Sequence, residues 1–413
     1  MYAIDWSMLL TRSRERTAVR LSVSRTVWAL GFTSLFTDIS SEMVASILPM
    51  YLVLQLGMQP AAFGLIDGLY QGAAALVRIA AGIASDRWQR HKDVAGIGYG
   101  LSALCRVALL AVGSTWTAIA GVVAVDRIGK GIRTAPRDAL ISLATPSRDL
   151  ATAFGVHRGL DATGAMLGPF LAFLILAWMP ARYDVLFASS FVVAVIGVAI
   201  LVLFVEPLVA GAAVARRKAR LLLDGELLRA PRFRGILIAA FLLGLPTISD
   251  AFIFLSLQRK LDMGATVFPL FYVGASLFTA LLSVPLGRLA DRLGRTTILC
   301  AGYAALMLVY VTIFLPGGSA VMALVTLALL GAYYAATDGV LTAMAAAVLP
   351  SEATGSGLSL LATSTNLARI LASVAFGIAW SYAGLNVATG IYLGAMALAT
   401  AASTIVLTRA ERA

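Results

Sequence analysis

The chain has 413 residues, of which 60% are hydrophobic and 13% are charged, and its formal net charge is +11. Because soluble domains carry roughly 25% charged residues, this composition excludes an ordinary soluble protein and indicates an integral membrane protein. Most of the cations stand between apolar stretches, so the positive charge does not indicate a nucleic-acid partner. Two cysteines in apolar segments and two scattered histidines predict no disulfide framework, no metal site and no other cofactor.

The first 25 residues carry five arginines but no long apolar core and no small-residue cleavage site. We therefore predict a retained cytoplasmic N-terminus rather than a signal peptide. About twelve apolar segments follow, each near the ~20 residues that a membrane-spanning helix needs. The predicted spans are 26–55, 61–83, 94–113, 116–143, 151–178, 184–205, 235–258, 266–286, 297–315, 319–347, 355–381 and 385–407.

The connecting segments predict the orientation of the chain. Arginine and lysine cluster after the second, sixth and eighth spans, and Arg148 follows the fourth. Only Arg182 and the pair Arg259 and Lys260 break this bias. By the positive-inside rule we expect both termini in the cytoplasm, with a bacterial inner membrane as the location.

The sequence also repeats itself at an offset near 205 residues: Gly82, Asp86 and Arg87 match Gly287, Asp291 and Arg292. This repeat predicts two six-span halves around a central site, namely an N-terminal bundle 1–205, a cytoplasmic linker 206–234 and a C-terminal bundle 235–413. The basic linker is either an amphipathic helix on the membrane surface or a charge cluster that only fixes topology.

Segment 287–295 reads GRLADRLGR, and segment 82–90 reads GIASDRWQR. Both are similar to the G-x-L-A-D-R-x-G-R loop that follows the second span in the major facilitator superfamily, although Gln89 stands where the family has glycine. The resemblance covers the whole chain and implies an all-α membrane protein with twelve transmembrane helices in two pseudo-symmetric six-helix bundles. It also implies that this loop is a latch between conformations.

Six charged residues interrupt the fourth span within 125–141, which reads VDRIGKGIRTAPRDALI. At helical spacing they form two neighbouring stripes, one with Asp126, Lys130, Arg133 and Arg137 and one with Arg127, Gly131, Thr134 and Asp138. A charge at the bilayer centre costs about 2.5–3.5 kcal/mol, so both stripes must face protein or a water-filled cavity. The start of the second stripe, RIGKG, resembles the family motif R-x-x-Q-G, whose arginine is associated with proton coupling.

In the fifth span, 164–169 reads GAMLGP and resembles the G-x-x-x-G-P element of proton-driven exporters, which favours export. Its small residues permit close helix packing. His157 and Asp161 lie one helical turn apart in the same span, so they can touch and relay protons. The alternative for His157 is an ordinary surface histidine.

Asp38 and Glu42 are one turn apart in the first span. Two carboxylates at this spacing repel each other, so one of them is expected to take up a proton, as a proton carrier must. The alternative is a static ion-pair lock with the cations of the fourth span. Asp250 and Asp338 lie in the seventh and tenth spans, and the resemblance implies that these spans line the cavity. The alternative for both acids is a structural ion pair with Arg369.

The resemblance implies a secondary transporter rather than an enzyme. No P-loop, HExxH or G-x-S-x-G motif is present, so neither direct ATP drive nor hydrolytic chemistry is supported. We expect a proton-coupled antiporter that exports a small anionic, zwitterionic or drug-like compound by alternating access. The alternatives are a proton symporter that imports an organic acid and a transport-inactive sensor. The expected partners are the substrate, protons and the lipid bilayer, and the fold needs only one chain, so we expect a monomer.

The residues predicted for proton coupling are Asp38, Glu42, Asp126, Arg127 and Asp161. Those predicted to bind substrate are Lys130, Arg133, Arg158, Asp250, Asp338, Asn366, Arg369 and Tyr333. Those predicted for gating are Asp86, Arg87, Arg90, Arg137, Asp138, Asp291, Arg292 and Arg295.

Overall fold

The computed structural model describes residues 23–113, 115–146, 149–208, 230–349 and 354–412. Within these ranges the chain is helical and contains no strand. The α-helices are α1 (Arg25–Met50), α2 (Pro60–Trp88), α3 (His91–Ala111), α4 (Trp116–Leu143), α5 (Leu150–Trp178), α6 (Tyr183–Phe204), α7 (Pro231–Gly244), α8 (Asp250–Leu261), α9 (Pro269–Leu293), α10 (Arg295–Phe314), α11 (Ala320–Val348), α12 (Thr354–Ala383) and α13 (Leu385–Arg412). A π-helix, Tyr51–Gln55, extends α1, and a 3-10 turn, Ala265–Val267, precedes α9.

The seventh crossing is broken, because α7 ends at Gly244 and α8 begins at Asp250. The prediction of one continuous span over 235–258 is therefore wrong at this point. Tyr310 of α10 stabilises the break: its hydroxyl accepts the N–H of Ile248 at 2.8 Å and donates to the carbonyl of Pro246 at 2.8 Å. Backbone polar groups freed inside a membrane need such partners, since no water replaces them.

Eight of the described helices are long and apolar enough to cross a membrane by their own composition, namely α3, α5, α6 and α9 to α13. The other crossings are made by α1, α2, α4 and the pair α7–α8, which carry polar or charged residues within the bundle. In α4 those residues are the two stripes, so this helix depends on protein around it rather than on lipid.

The helices form two bundles, α1 to α6 and α7 to α13, which confirms the predicted fold class. Within the first bundle α1 packs on α5 and α6, and α4 packs on α2 and α3. Between the bundles the main contacts join α2 to α12 and α5 to α9. We call the side with the helix ends near Arg90 and Gly294 the basic face, and the side with those near Gly57 and Gly384 the opposite face.

The two bundles are closed against each other at the opposite face. Gly64 and Gly68 of α2 lie so close to α12 that an added Cβ would sit 2.6 Å from the carbonyl oxygen of Ser373 and 3.2 Å from that of Ile370. An aromatic cluster seals this region, with ring centroids 5.0 to 5.9 Å apart, and consists of Phe63, Phe252, Phe376 and Trp380. The pathway is therefore shut on this side, while a cavity described below reaches toward the basic face.

The predicted gating, linker and terminal features are only partly within the described residues. The N-terminal arginines before residue 23 and most of the linker, 209–229, lie outside them, so the amphipathic-helix prediction remains a prediction.

Candidate functional site

The two stripes of α4 face different neighbouring helices, as the prediction that they face protein requires. The first stripe faces α3, where Asp126 meets Arg106 and Arg133 meets Ser102. The second faces α2, where Arg127 lies over the Tyr70 ring at 4.0 Å. Further along this stripe the α4 backbone comes close to that of α2 at Gly131, and Asp138 pairs with Arg78 at 3.2 Å.

Asp126 is held between two arginines inside the bundle. Its Oδ1 accepts from Arg106 Nη2 at 2.9 Å, and its Oδ2 accepts from Arg127 Nε at 3.1 Å and from Arg127 Nη2. All three side chains are at most 5% exposed. Arg106 also donates to Ser41 of α1 at 3.0 Å, so this cluster ties α1, α3 and α4 together. The role of Arg106 was not predicted, although an arginine within an apolar span signalled it.

Asp38 shows the static pairing that was the alternative to proton carriage. Its Oδ1 lies 3.5 Å from Nη2 of Arg133, whose side chain is 3% exposed. Arg133 also donates to Ser102 at 2.9 Å and lies over the Tyr99 ring at 4.9 Å. Arg133, predicted to bind substrate, is thus enclosed by α1 and α3.

Glu42, one turn from Asp38, is different. Its carboxylate makes no hydrogen bond or ion pair with any residue that the structure describes. Lys130 is the cation that acts on it most strongly through space, and the Lys130 amino group likewise has no ion pair within the described chain. The Glu42 charge also acts on Tyr70 of α2 and on Tyr272 of α9, a helix of the C-terminal half. Glu42 and Lys130 are thus an acid and a base that interact electrostatically without forming an ion pair.

A second charge network lies nearer the basic end of α4. Arg137 donates to Asp138 at 3.0 Å and lies 3.7 Å from Asp161 of α5. His157 approaches Asp161 at 3.4 Å, which confirms the predicted contact, and its Nε2 lies 3.0 Å from the hydroxyl of Ser34. The alternative of a surface histidine is wrong, because His157 is 1% exposed. It is buried because α5 packs its polar side against α1.

The predicted close packing of the fifth span is confirmed, and it acts on the two carboxylates of α1. A Cβ added at Gly164 would sit 3.2 Å from the Cβ of Asp38, and one added at Gly168 would sit 2.9 Å from the Cβ of Glu42. The small residues of α5 thus allow this helix to pack directly over both acids.

The C-terminal half contains a cavity of about 200 Å³ that extends from the middle of the bundle toward the basic face. Its lining combines one base, one acid, two tyrosines and several threonines, and includes Arg369, Asp338, Tyr303, Tyr333, Thr337 and Thr365. Arg369 lies 3.9 Å from Asp338, whose side chain is 65% exposed. Three residues predicted to bind substrate, Asp338, Arg369 and Tyr333, are therefore brought together.

The other predicted substrate residues are not part of this cavity. Asp250 accepts from the Tyr334 hydroxyl at 2.7 Å behind it. Asn366 lies on α12 where that helix meets α2 near Gly72, and Arg158 is exposed on α5. Phe252 and Phe254 are fully buried packing residues and do not line the cavity.

The gating residues at the basic face make local contacts. Arg90 lies 3.7 Å from Asp93, and Asp291 lies 3.6 Å from Arg295. Arg295 also donates to the carbonyl of Ala343 on α11 at 3.0 Å, within its own half. Arg87 and Arg292 are exposed, and the side chain of Asp86 is outside the described part of the structure.

A family model of the Major Facilitator Superfamily matches residues 30–373. The chain belongs to the major facilitator superfamily. An uncharacterized MFS-type transporter of Methanocaldococcus jannaschii is 31% identical over 369 residues, which cover 87% of this chain and 89% of that relative. Among solved structures, the POT family transporter PepTSo matches with a TM-score of 0.78 at 11% identity, over 94% of this chain and 98% of its own. The nucleoside transporter NupG matches with a TM-score of 0.76 at 15% identity, over 93% and 99%.

Membership in this family makes the chain a multi-pass membrane transport protein for a small molecule and not an enzyme. The two solved structures share its fold. At their low sequence identity they give no information about the substrate of this chain.

Proposed function

We propose that this transporter exchanges protons for a small zwitterionic compound and exports that compound by alternating access. The observation that carries the proposal is the state of Glu42. Asp38, Asp126 and Asp161 each have an arginine or histidine partner within 4 Å, whereas Glu42 has none among the described residues. A carboxylate inside a bundle without a partner is costly, so a proton or a ligand cation is needed to neutralise it.

Competition for Glu42 explains exchange. A proton and the ammonium group of a zwitterion neutralise the same carboxylate, so each displaces the other, and this is the condition for antiport. The carboxylate of the zwitterion then pairs with Lys130. A purely anionic substrate would instead bind better when Glu42 is protonated and Lys130 is freed, which is the condition for symport.

The C-terminal half supplies a matching pair. Asp338 and Arg369 lie 3.9 Å apart in the cavity and are both partly exposed, so each can turn to a ligand. Arg369 suits a carboxylate because its planar guanidinium offers paired donors. The Tyr303 and Tyr333 rings beside it provide an apolar wall. Each half thus offers one acid and one base that are not locked together, which fits a substrate carrying both charges.

In this proposal Asp126 and Arg127 have a structural rather than a proton-carrying role, because Arg106 and Arg127 bind both carboxylate oxygens of Asp126 and its side chain is buried. Asp161 and His157 remain candidates for the path by which the proton leaves toward the basic face. The positive charge of the connecting segments supports that face as the cytoplasmic one.

The test is proton flux in proteoliposomes that contain a pH-sensitive dye. Adding a zwitterion outside is expected to make the lumen more alkaline, because protons leave as the substrate enters. Acidification of the lumen on adding an organic anion, beyond that in protein-free liposomes, would instead establish the symporter. Saturable binding without any flux would establish the sensor.

The decisive variant is Glu42→Gln, which has the shape of glutamate but cannot lose a proton. We expect proton-coupled exchange to fall by at least ~100-fold. The variant can neither bind and release a proton at this position nor form the ion pair with the substrate ammonium group, an interaction worth a few kcal/mol. Asp184→Asn is the matched control, since Asp184 is exposed at the opposite face and pairs only with Arg182 among the described residues. Full coupled exchange by Glu42→Gln would overturn the assignment.

A further inference from the structure

Asp67 of α2 is a buried carboxylate at the junction of the two halves. It is 6% exposed, and its Oδ2 accepts a hydrogen bond of 2.6 Å from Ser373 of α12. The Ser373 hydroxyl also lies 3.1 Å from the carbonyl of Gly64 on α2. Asp67 therefore lies within the contact that closes the opposite face, between two helices that must separate for that face to open.

No cation compensates Asp67 among the described residues. Its polar neighbours are Ser373, Ser249 and Gln71, and none of them carries a positive charge. The charged group that reaches it from α8 is Asp250, another acid, which accepts from Tyr334. Arg369, one turn before Ser373 on α12, lies 3.9 Å from Asp338 and acts electrostatically on Asp250. From α9 the neighbour is Tyr272, which is neutral at ordinary pH.

An ionised carboxylate in this position is costly, because burial removes water without supplying a compensating charge. The protonated form has no such cost. When α2 and α12 separate, water reaches Asp67 and the ionised form becomes the stable one. Closed and open states of this face therefore bind protons differently, and any such difference makes the equilibrium depend on pH.

We infer that Asp67 couples protonation to the opposite face: it takes up a proton as α2 and α12 come together and releases it as they separate. This proton differs from the one proposed for Glu42. It enters and leaves on the same side, so it sets the balance between the two states without being carried across. The inference rests on the alternating-access cycle of the proposed function, but not on its substrate or its direction.

The sign follows from linkage. The closed state binds the additional proton, so it is favoured at low pH, and raising the pH favours opening. Protonation of Asp67 thus acts as a closing signal from the compartment at the opposite face.

The test is the distance between spin labels on cysteines placed at Gln59 and Tyr382, two exposed positions on either side of the closed contact. The full-length protein is used in lipid nanodiscs without substrate, with Cys105 and Cys300 replaced by alanine. The pH is raised from about 5 to about 9, a range that includes the pKa values of perturbed carboxyl groups. We expect the proportion of molecules with the short label distance to fall and the proportion with the long distance to rise.

Asp67→Asn is expected to hold the short distance at every pH, because asparagine keeps the hydrogen bond but cannot ionise. Asp184→Asn, an exposed acid at the same face, is the control and should respond like the parent protein. A pH response of Asp67→Asn with the parent's midpoint would overturn the inference, and so would a parent protein with one distance at all pH values.

A second variant, Ser373→Ala, keeps the carboxylate but removes its hydrogen-bond donor and one link between the halves. We expect it to open about one pH unit lower than the parent, since one hydrogen bond is worth about a tenfold change in an equilibrium. If half of the Ser373→Ala molecules opened at the same pH as in the parent protein, the result would count against the inference.

The result is separable from the proposed exchange mechanism. Glu42→Gln should keep the pH response of the label distance even where it abolishes exchange. If liposomes show no exchange while the labels respond through Asp67, the proposed function fails and this inference stands.

Discussion

The two halves of this transporter repeat one helix order, but their central ion pairs differ in burial and in contact distance. In the N-terminal half, Asp126 is clamped by Arg106 and Arg127, and these side chains are at most 5% exposed. In the C-terminal half, Asp338 and Arg369 are 3.9 Å apart and partly exposed to a cavity. The same fold therefore holds a buried, tightly bonded charge cluster in one half and a loosely paired acid and base beside a cavity in the other. Loosely paired groups can exchange partners with a ligand more easily, which is why the proposed function assigns substrate binding to Asp338 and Arg369 and not to the Asp126 cluster.

The largest expected effect is a loss of stability, which should differ between the buried Asp126 cluster and the partly exposed pair of Asp338 and Arg369. Asp126→Ala leaves two buried arginines without a counter-charge, and breaking a buried pair in this way typically costs about 3–5 kcal/mol. Asp338→Ala removes an exposed acid at long range from its partner, and we expect less than about 1 kcal/mol. Thermal unfolding of both variants in the same detergent checks the comparison.

Asp126→Ala combined with Arg106→Met is the control, because it removes one of the two uncompensated charges and should recover part of the loss. Equal unfolding midpoints for Asp126→Ala and Asp338→Ala would show that the N-terminal cluster is not a structural lock.

The next effect concerns how the N-terminal half holds its two acids. Gly168→Ala places a Cβ 2.7 Å from the carbonyl oxygen of Ile39 and 2.9 Å from the Cβ of Glu42, so α5 must move away from α1. Overpacking of this kind typically costs about 1–3 kcal/mol, and here it also displaces Glu42, so exchange should fall as well. Stability and proton flux are measured together.

Gly159→Ala on the same helix is the matched control, since its Cβ would meet nothing within 4 Å. Alanine is the better helix former, so this variant should be neutral or slightly stabilising. If Gly168→Ala behaved like Gly159→Ala in both assays, close packing of α5 over the acids would not matter.

Much of this organisation was predictable from sequence. The spacing of the charges in the fourth span correctly predicted two helix faces that avoid lipid, because that inference needs only helix periodicity and the cost of a charge in a bilayer. The observed helix α4, Trp116–Leu143, has the bounds predicted for that span. The eighth span was predicted to end at 286, yet α9 continues to Leu293, because charged residues of a helix project beyond the apolar region.

What remained hidden depends on contacts between distant segments. The motif Gly244 to Pro246 can end a helix, but the Tyr310 hydroxyl that stabilises the break lies 64 residues from Pro246. Arg106 was visible as an intramembrane cation, yet its pairing with Asp126 rather than with Asp38 or Glu42 follows from three-dimensional packing. Asp67 was visible only as an acid within the predicted second span, because its place in the contact between the halves comes from Ser373 of α12, 306 residues away.

The smallest effect compares the two repeated loops at the basic face. Gly294 has φ +97° and ψ +136°, a region that only glycine occupies comfortably, whereas Gln89 has φ +53° and ψ +33°, the left-handed region that other residues tolerate. This explains how the first loop can depart from the family glycine while the second keeps it. Gly294→Ala should cost about 1–2 kcal/mol, and Gln89→Gly should change stability by less than about 1 kcal/mol.

Thermal unfolding again provides the measurement, with flux as a second readout because both loops lie where the latch of this family is found. A stability loss for Gly294→Ala without loss of exchange would assign the glycine to backbone geometry alone. A loss of exchange at unchanged stability would assign it to the movement of the halves, and the two repeated loops would then differ in function as well as in conformation. If Gln89→Gly were the more damaging of the two changes, the backbone explanation for the difference between the loops would be wrong.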